Sequence, residues 1–280
     1  MKPVRPKKNL GQHFLTDLPT ARAIADTVDA FPDIPILEVG PGTGVLTQFL
    51  LRKPRELKVV ELDYESVSFL LHRFPELEDN LIEDDFLKLP LEKVFNSRPF
   101  LVTGNYPYNI SSQIFFKVLE NKPLVPCCTG MVQKEVAERL AAKPGTKAYG
   151  ILSILVQLYY DVEYLFTVEP QVFDPPPKVR SAVVRLTRNG RTAPDCDEAL
   201  FKRIVKATFN QRRKMLRGSL KPLLAELGKE NDNSGTQFAQ LLTQELFTRR
   251  PEQLSIEEFI QLTRQISRIQ SSAAANARED

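Results

Sequence analysis

The stretch Ile34-Pro35-Ile36-Leu37-Glu38-Val39-Gly40-Pro41-Gly42-Thr43-Gly44 decides the fold. A short apolar run that ends in a glycine loop reads as a buried strand over 34–39. Residues 43–52 have helical spacing, so the loop joins a strand to a helix. Glycines there allow a tight turn and let a ligand approach the backbone. No Gly-Lys-Ser/Thr follows, which excludes a P-loop, and the pattern is G-x-G-x-G rather than the dinucleotide G-x-G-x-x-G. About twenty residues on, a second strand, 57–62, ends in Glu61-Leu62-Asp63, where an acid can accept hydrogen bonds from a ribose diol. Asp85, after a third strand over 80–83, is placed either to bond an adenine amino group or to be a solvated loop acid.

Outward from this core, strand and helix alternate. Helices are expected at 19–30, 64–73 and 111–120, and a fourth strand at 100–104. Such alternation predicts a mainly parallel sheet with helices on both faces. Further on, 125–133, 162–168 and 181–186 read as strands, the last two able to finish the sheet with an antiparallel edge. Residues 134–142 and 149–159 read as helices. At 188–195 the chain turns polar (RNGRTAPD), which marks a domain boundary. Beyond it only helical patterns remain, at 196–209, 212–227, 236–246 and 255–268. The expected organisation is a first domain over 1–190, a helical one over 191–270 and a disordered tail over 271–280.

The 280 residues are 42% hydrophobic and 26% charged. That is too apolar for disorder and too charged for a membrane protein. No run of about 18 apolar residues exists, and the basic N-terminus lacks the apolar core of a secretory signal. Three cysteines, two of them adjacent, and two histidines argue against a disulfide framework and against a zinc site. The reading is a cytoplasmic protein with no metal and no membrane partner, expected as a monomer.

The formal charge is +3, but it is unevenly placed. Residues 1–190 balance to zero and the remainder carries the excess. Lys202, Arg203, Lys206, Arg212, Arg213, Lys214, Arg217 and Lys221 fall in 21 residues with no acid among them. Lys2, Arg5, Lys7 and Lys8 form a second cluster. Unopposed cations of this kind are either a solvated helix face or the footprint of a phosphate backbone, so Lys206, Arg212, Arg213, Lys214 and Arg217 are candidate nucleic-acid-binding residues.

The fourth strand ends in Gly104-Asn105-Tyr106-Pro107-Tyr108-Asn109, beside the glycine loop. Open α/β sheets hold ligands there. Adenine N6 is a poor nucleophile because its lone pair is delocalised into the ring. Two acceptors gripping its two hydrogens would favour an sp3-like nitrogen with the lone pair free. The Asn105 side-chain oxygen can be one acceptor and the Tyr106 carbonyl the other, on backbone that Pro107 constrains. Tyr108 can stack on an extruded base. The amine then attacks a sulfonium methyl in line, with no strong base required.

These residues resemble the adenine N6,N6-dimethyltransferases of small-subunit ribosomal RNA. The likeness runs nearly end to end: Asn9–Leu15 (NLGQHFL), Glu38–Gly44, Glu61-Leu62-Asp63, Gly104–Ser111, Gln133–Val136, Lys147–Gly150, Pro175–Leu186 and Phe209–Lys214 (FNQRRK). It implies a class I, Rossmann-like methyltransferase domain with a mostly parallel seven-stranded sheet, and a small all-helical C-terminal domain. It implies S-adenosylmethionine as donor, with small-subunit rRNA in an immature ribosomal subunit as partner. Methyls would pass successively to N6 of two adjacent adenosines near the RNA 3′ end. Carried over by motif, His13, Leu15 and Gly42 contact the cofactor, and Gly40 lies against its methionine end. Glu61 takes the ribose hydroxyls, Asp85 the adenine, and Asn105 sits where donor meets target. Phe14 either walls the base pocket or is a core phenylalanine. His13 stands where the family often has Asn, and Tyr106 where it often has Leu.

Two other readings compete. One is an N6-adenine methyltransferase for large-subunit RNA or DNA. The other is a ribosome-assembly or transcription factor that keeps the fold, whose mark would be erosion of the cofactor acids or of Asn105. None is eroded.

Overall fold

The computed structural model describes residues 4–7, 10–229 and 234–276. Lys2, Lys8 and Asn9, expected in the basic cluster and the N-terminal motif, lie outside the described residues, as do 277–280.

β1 (Phe14–Leu15) and α1 (Leu18–Asp26) lead into β2 (Ile36–Val39), the strand that precedes the glycine loop. Then come α2 (Thr47–Leu50), β3 (Leu57–Glu61), α3 (Tyr64–Arg73), β4 (Leu81–Glu83), α4 (Leu91–Val94), β5 (Leu101–Thr103), α5 (Ser111–Glu120), β6 (Cys127–Gln133) and α6 (Lys134–Leu140). After α7 (Ile151–Gln157) the chain adds β7 (Tyr160–Val168), β8 (Phe173–Asp174) and β9 (Ser181–Arg188). The seven-stranded sheet has the order β4-β3-β2-β5-β6-β9-β7. Pairings from β4 to β6 are parallel, whereas β9 runs antiparallel to both β6 and β7. From β2 the chain moves outward to β3 and β4, then crosses to β5 on the other side of β2. That reversal opens a crevice beyond the carboxyl ends of β2 and β5, where such sheets bind ligands.

Local chemistry sets the element ends. Asp17 caps α1 by accepting from Thr20 N at 2.8 Å, with Pro19 in the first turn. Asp63 caps α3, and His72 and Arg73 close that helix where its dipole favours cations. The helix expected over 43–52 shrinks to the four residues of α2. Gly42 and Gly44 have φ of +57° and +77°, which no α-helix accommodates, so turns take up the first half. Between sheet and helices, Ile24, Val28, Ile36, Leu50, Val59, Leu101 and Met131 are fully buried in one cluster. Burying each contributes roughly 1.5–3 kcal/mol. Cys127 and Cys128 are free thiols buried in β6.

The chain forms two compact units. The first holds 1–141 and 159–189 and contains the whole sheet; the second holds 142–158 and 190–280. The sequence reading placed 142–158 in the first domain. The structure groups it with the helices, because α7 packs against the next helix of that unit, α8 (Glu198–Phe209). The unit continues with α9 (Leu216–Ser219), α10 (Lys221–Lys229), α11 (Ser234–Leu241) and α12 (Ile256–Asn276) around buried Phe201, Ile204, Phe247, Phe259 and Leu262. Asp197 caps α8 through Ala199 N (2.8 Å) and Leu200 N (3.0 Å). The single helix expected over 212–227 is broken. Residues 211–213 are turn, and Pro222 has no N–H to continue the α9 ladder. α12 runs through Asn276, into the stretch expected as a tail from 271. Among the described residues, no helix is long and apolar enough to cross a membrane.

Candidate active site

The crevice of the sheet unit is a cavity of about 260 Å³, near the lower end of small-molecule pockets. Three segments far apart in sequence line it: the loop after β2, the end of β5, and the N-terminal stretch 10–15. Glu61, Leu62 and Asp85 complete the wall.

The glycine loop is tied to the acid expected to hold a ribose. Gly42 N donates to Glu61 Oε2 at 3.0 Å, and Leu62 N and Asp63 N both donate to Glu61 Oε1 at 2.9 Å. Glu61 is buried, and burial pushes its carboxyl up while these three N–H groups pull against the shift. The result is a fixed carboxylate rather than a mobile surface acid. The positive φ of Gly42 aims its N–H there, and a Cβ on Gly42 would lie 3.1 Å from the Phe14 ring.

Glu38, in β2 and on the same cavity wall, is an acid that the site reading missed. It is 1% exposed and accepts from Thr47 Oγ1 at 2.7 Å. Burial pushes its carboxyl up to about 8. The folded chain therefore keeps a proton that the unfolded chain releases near the ordinary 4.5. This contribution to stability is present below about pH 4.5 and lost as pH rises through about 8. Glu38→Gln should flatten the denaturation free energy across that window by about 1.4 kcal/mol per pH unit. An unchanged slope in denaturant titrations would sink this assignment.

The Gly104–Asn109 loop is stitched to β6. Met131 N donates to Gly104 O and Tyr106 N to Met131 O, each at 3.0 Å. Asn105 Nδ2 donates to the His13 carbonyl at 3.1 Å, which leaves Oδ1 as the acceptor end of the amide. Tyr106 points away from the ligand side. It is 1% exposed, its hydroxyl donates to Thr129 O at 2.7 Å, and its ring meets Phe115 edge-on. What it offers the cavity is backbone. Pro107 lies against Gly40, with Cδ 3.7 Å from where a Gly40 Cβ would stand. Tyr108 is half-buried, tilted against His13 at 5.2 Å between centroids, and its hydroxyl bonds Ser181.

The N-terminal segment is strapped across this cavity. β1 pairs antiparallel with β8, and His13 Nδ1 donates to Pro175 O at 2.8 Å. Phe14 lines the cavity over Gly42, while Leu15 is 2% exposed and also belongs to the core cluster. Upstream, Lys7 Nζ meets Asp63 Oδ1 at 2.5 Å and Glu65 at 3.3 Å, and Gln12 Nε2 reaches Asp63 Oδ2 at 3.5 Å. Burial pushes Asp63 up, but Lys7, Ser66 and Gln12 outweigh it and hold its carboxyl below the usual range. Lys7 is thus spent on a clasp within the fold, and sequence gave no hint of this. Asp85 folds back on its own turn: Oδ1 accepts from Leu87 N at 3.0 Å, and Lys88 stands 3.6 Å from Oδ2.

In the helical unit the eight clustered cations separate into two groups. Lys202 pairs with Glu198 (2.8 Å) and Arg203 with Glu226 (3.0 Å). Arg212 donates to Lys147 O (2.7 Å) and Thr146 O (3.1 Å), with Nε 3.8 Å from Glu252. Lys206, Arg213, Lys214, Arg217 and Lys221 are exposed and carry no ion pair among the described residues.

The family model for ribosomal RNA adenine dimethylase matches residues 4–263. The chain is 62% identical over 276 residues to a ribosomal RNA small subunit methyltransferase A of Bacteroides thetaiotaomicron, covering 99% of each chain. It is 65% identical over 266 residues to the enzyme of that name from Bacteroides fragilis, covering 95% of this chain and 94% of that one. Among solved structures it resembles a dimethyladenosine transferase from Plasmodium falciparum, with TM-score 0.78 and 27% identity over 92% of this chain and 98% of the other. It also resembles the 23S rRNA methyltransferase ErmE, with TM-score 0.62 and 26% identity over 90% of this chain and 99% of the other. The sheet is that of a class I methyltransferase, and the chain is an rRNA methyltransferase. A match over nearly the whole length makes it a member of the ribosomal RNA adenine dimethylase family.

Proposed function

We propose that this chain transfers methyl groups from S-adenosylmethionine to N6 of two adjacent adenosines near the 3′ end of small-subunit rRNA, acting as a cytoplasmic monomer on an immature subunit. The observation that carries the reading is Asn105. Its Nδ2 is committed to the His13 carbonyl, and its acceptor oxygen stands at the end of β5 beside the glycine loop.

The crevice fits the donor. Glu61 is a buried, backbone-oriented carboxylate able to accept from ribose hydroxyls. Leu62, 55% exposed beside it, offers apolar surface to a purine, and Asp85 stands on the same wall. Gly40 and Gly42 bring bare backbone to the cavity wall at their own positions. When bound, S-adenosylmethionine supplies an electrophilic methyl on a sulfonium. The protein's part is to prepare the nucleophile. Asn105 Oδ1 and the Tyr106 carbonyl accept the two amine hydrogens and localise the nitrogen lone pair. Tyr108 and Phe14 offer aromatic faces to an extruded base. Lys206, Arg213, Lys214 and Arg217 give the helical unit an unpaired cationic surface for an RNA backbone.

The test is competition. Labelled donor is offered with unmethylated small subunits, large subunits and duplex DNA together. Label in small-subunit RNA is expected. Dominant label in either other acceptor would replace this reading by the alternative methyltransferase.

A further inference from the structure

We propose that the exposed loop 143–147 is a second contact for the RNA phosphate backbone, and that Arg212 is the clamp that holds this loop rather than a phosphate ligand. The inference rests on the reading that the helical unit grips RNA.

Residues 143–147 (KPGTK) are all exposed, between buried Ala142 and Tyr149. From 139 to 160 the chain carries no acid. Lys143 and Lys147 make no ion pair among the described residues. A surface loop containing Pro144 and Gly145 would ordinarily be loose. This one is pinned. Gly145, at φ +86°, donates its N–H to Glu252 O at 2.6 Å, and Thr146 Oγ1 donates to Lys143 O at 2.8 Å. Arg212 takes the carbonyls of residues 146 and 147 with its two terminal nitrogens. Tyr149 anchors the far end, edge-on to Phe209 at 6.2 Å.

The same geometry removes Arg212 from the free cations. Both terminal nitrogens donate to the loop, and Nε faces Glu252 Oε2, a buried oxygen with no hydrogen-bond partner of its own. A phosphate would have to displace those carbonyls and compete with that carboxylate. The next two residues, Arg213 and Lys214, are exposed and unpaired. One guanidinium therefore fixes the loop lysines next to the FNQRRK turn. Ordering the loop before RNA arrives lowers the entropy that binding would otherwise cost. Phosphate is the ligand that this array of unpaired cations on ordered backbone suits.

The test measures Kd for unmethylated small ribosomal subunits across a salt series. Lys143→Ala with Lys147→Ala should lower the slope of log K against log salt by about 0.7–0.9 per lost contact. Arg212→Ala should lower the slope only by the share carried by the loop lysines, speed amide exchange at 143–149, and add nothing in the double-lysine background. Should Arg212→Ala not fold, Arg212→Lys, which keeps the charge and loses the fork, should speed the same exchange. If the lysine pair leaves the slope intact while Arg213→Ala with Lys214→Ala reduces it, the loop proposal falls and the RNA-binding reading stands. If neither pair changes the slope, both fall. If Arg212→Ala lowers it equally with and without the loop lysines, Arg212 is itself the ligand and the clamp is overturned.

Discussion

Asn105→Ala should lower kcat by about 10²–10³ while leaving affinity for small subunits unchanged. The magnitude is that of removing one preorganised hydrogen-bond partner from a reacting centre. The separation follows from place: Asn105 lies in the sheet unit, and the unpaired cations lie in the helical unit. Asn105→Asp keeps an acceptor but loses the Nδ2 donor to His13 O, and its charge faces that carbonyl, so an intermediate loss is expected. Single-turnover rates with labelled donor, alongside binding to subunits, read both quantities. Loss of binding in a folded Asn105→Ala protein would contradict the division of roles.

Tyr106→Ala should cost about 3–5 kcal/mol of stability, the range for truncating a buried aromatic. The ring fills space that only a glycine leaves open. A Cβ on Gly130 would come within 2.7 Å of the Tyr106 ring and 2.4 Å of Gly104 O. Gly130, at φ +151°, thus gives the Tyr106 ring room. Tyr106→Phe removes the donor to Thr129 O and should cost about 1–3 kcal/mol. Tyr106→Leu should keep methylation, since the side chain faces the core and the backbone faces the cavity. Denaturant titration checks the stabilities. A Tyr106→Ala loss below about 1 kcal/mol would mean the ring is not the strut described.

The sheet was legible because its signals are local. Ile34–Val39 is short, apolar and punctuated by glycine, and α3 and α5 have the bounds that their periodicity predicts. The acids and Asn105 were legible because strand ends in this topology converge on one crevice. Three features were not legible, and each depends on a partner distant in sequence. Lys7 looked like part of a phosphate footprint until Asp63, 56 residues on, was found beside it. Arg212 looked equivalent to Arg213; only the fold brings the 146–147 carbonyls to its guanidinium. Residues 142–158 looked continuous with the first domain, because nothing in their composition marks which unit buries α7. Glu38 was read only as part of a motif, since burial is what sets its proton affinity.

Mass spectrometry of small-subunit RNA, after incubation of unmethylated subunits with the protein and S-adenosylmethionine, tests the central claim most directly. It reports substrate, position and methyl count together. The account predicts two adjacent N6,N6-dimethyladenosines near the 3′ end, and none with Asn105→Ala. Methyl groups on another base or position, or unchanged dimethylation by Asn105→Ala, would contradict it.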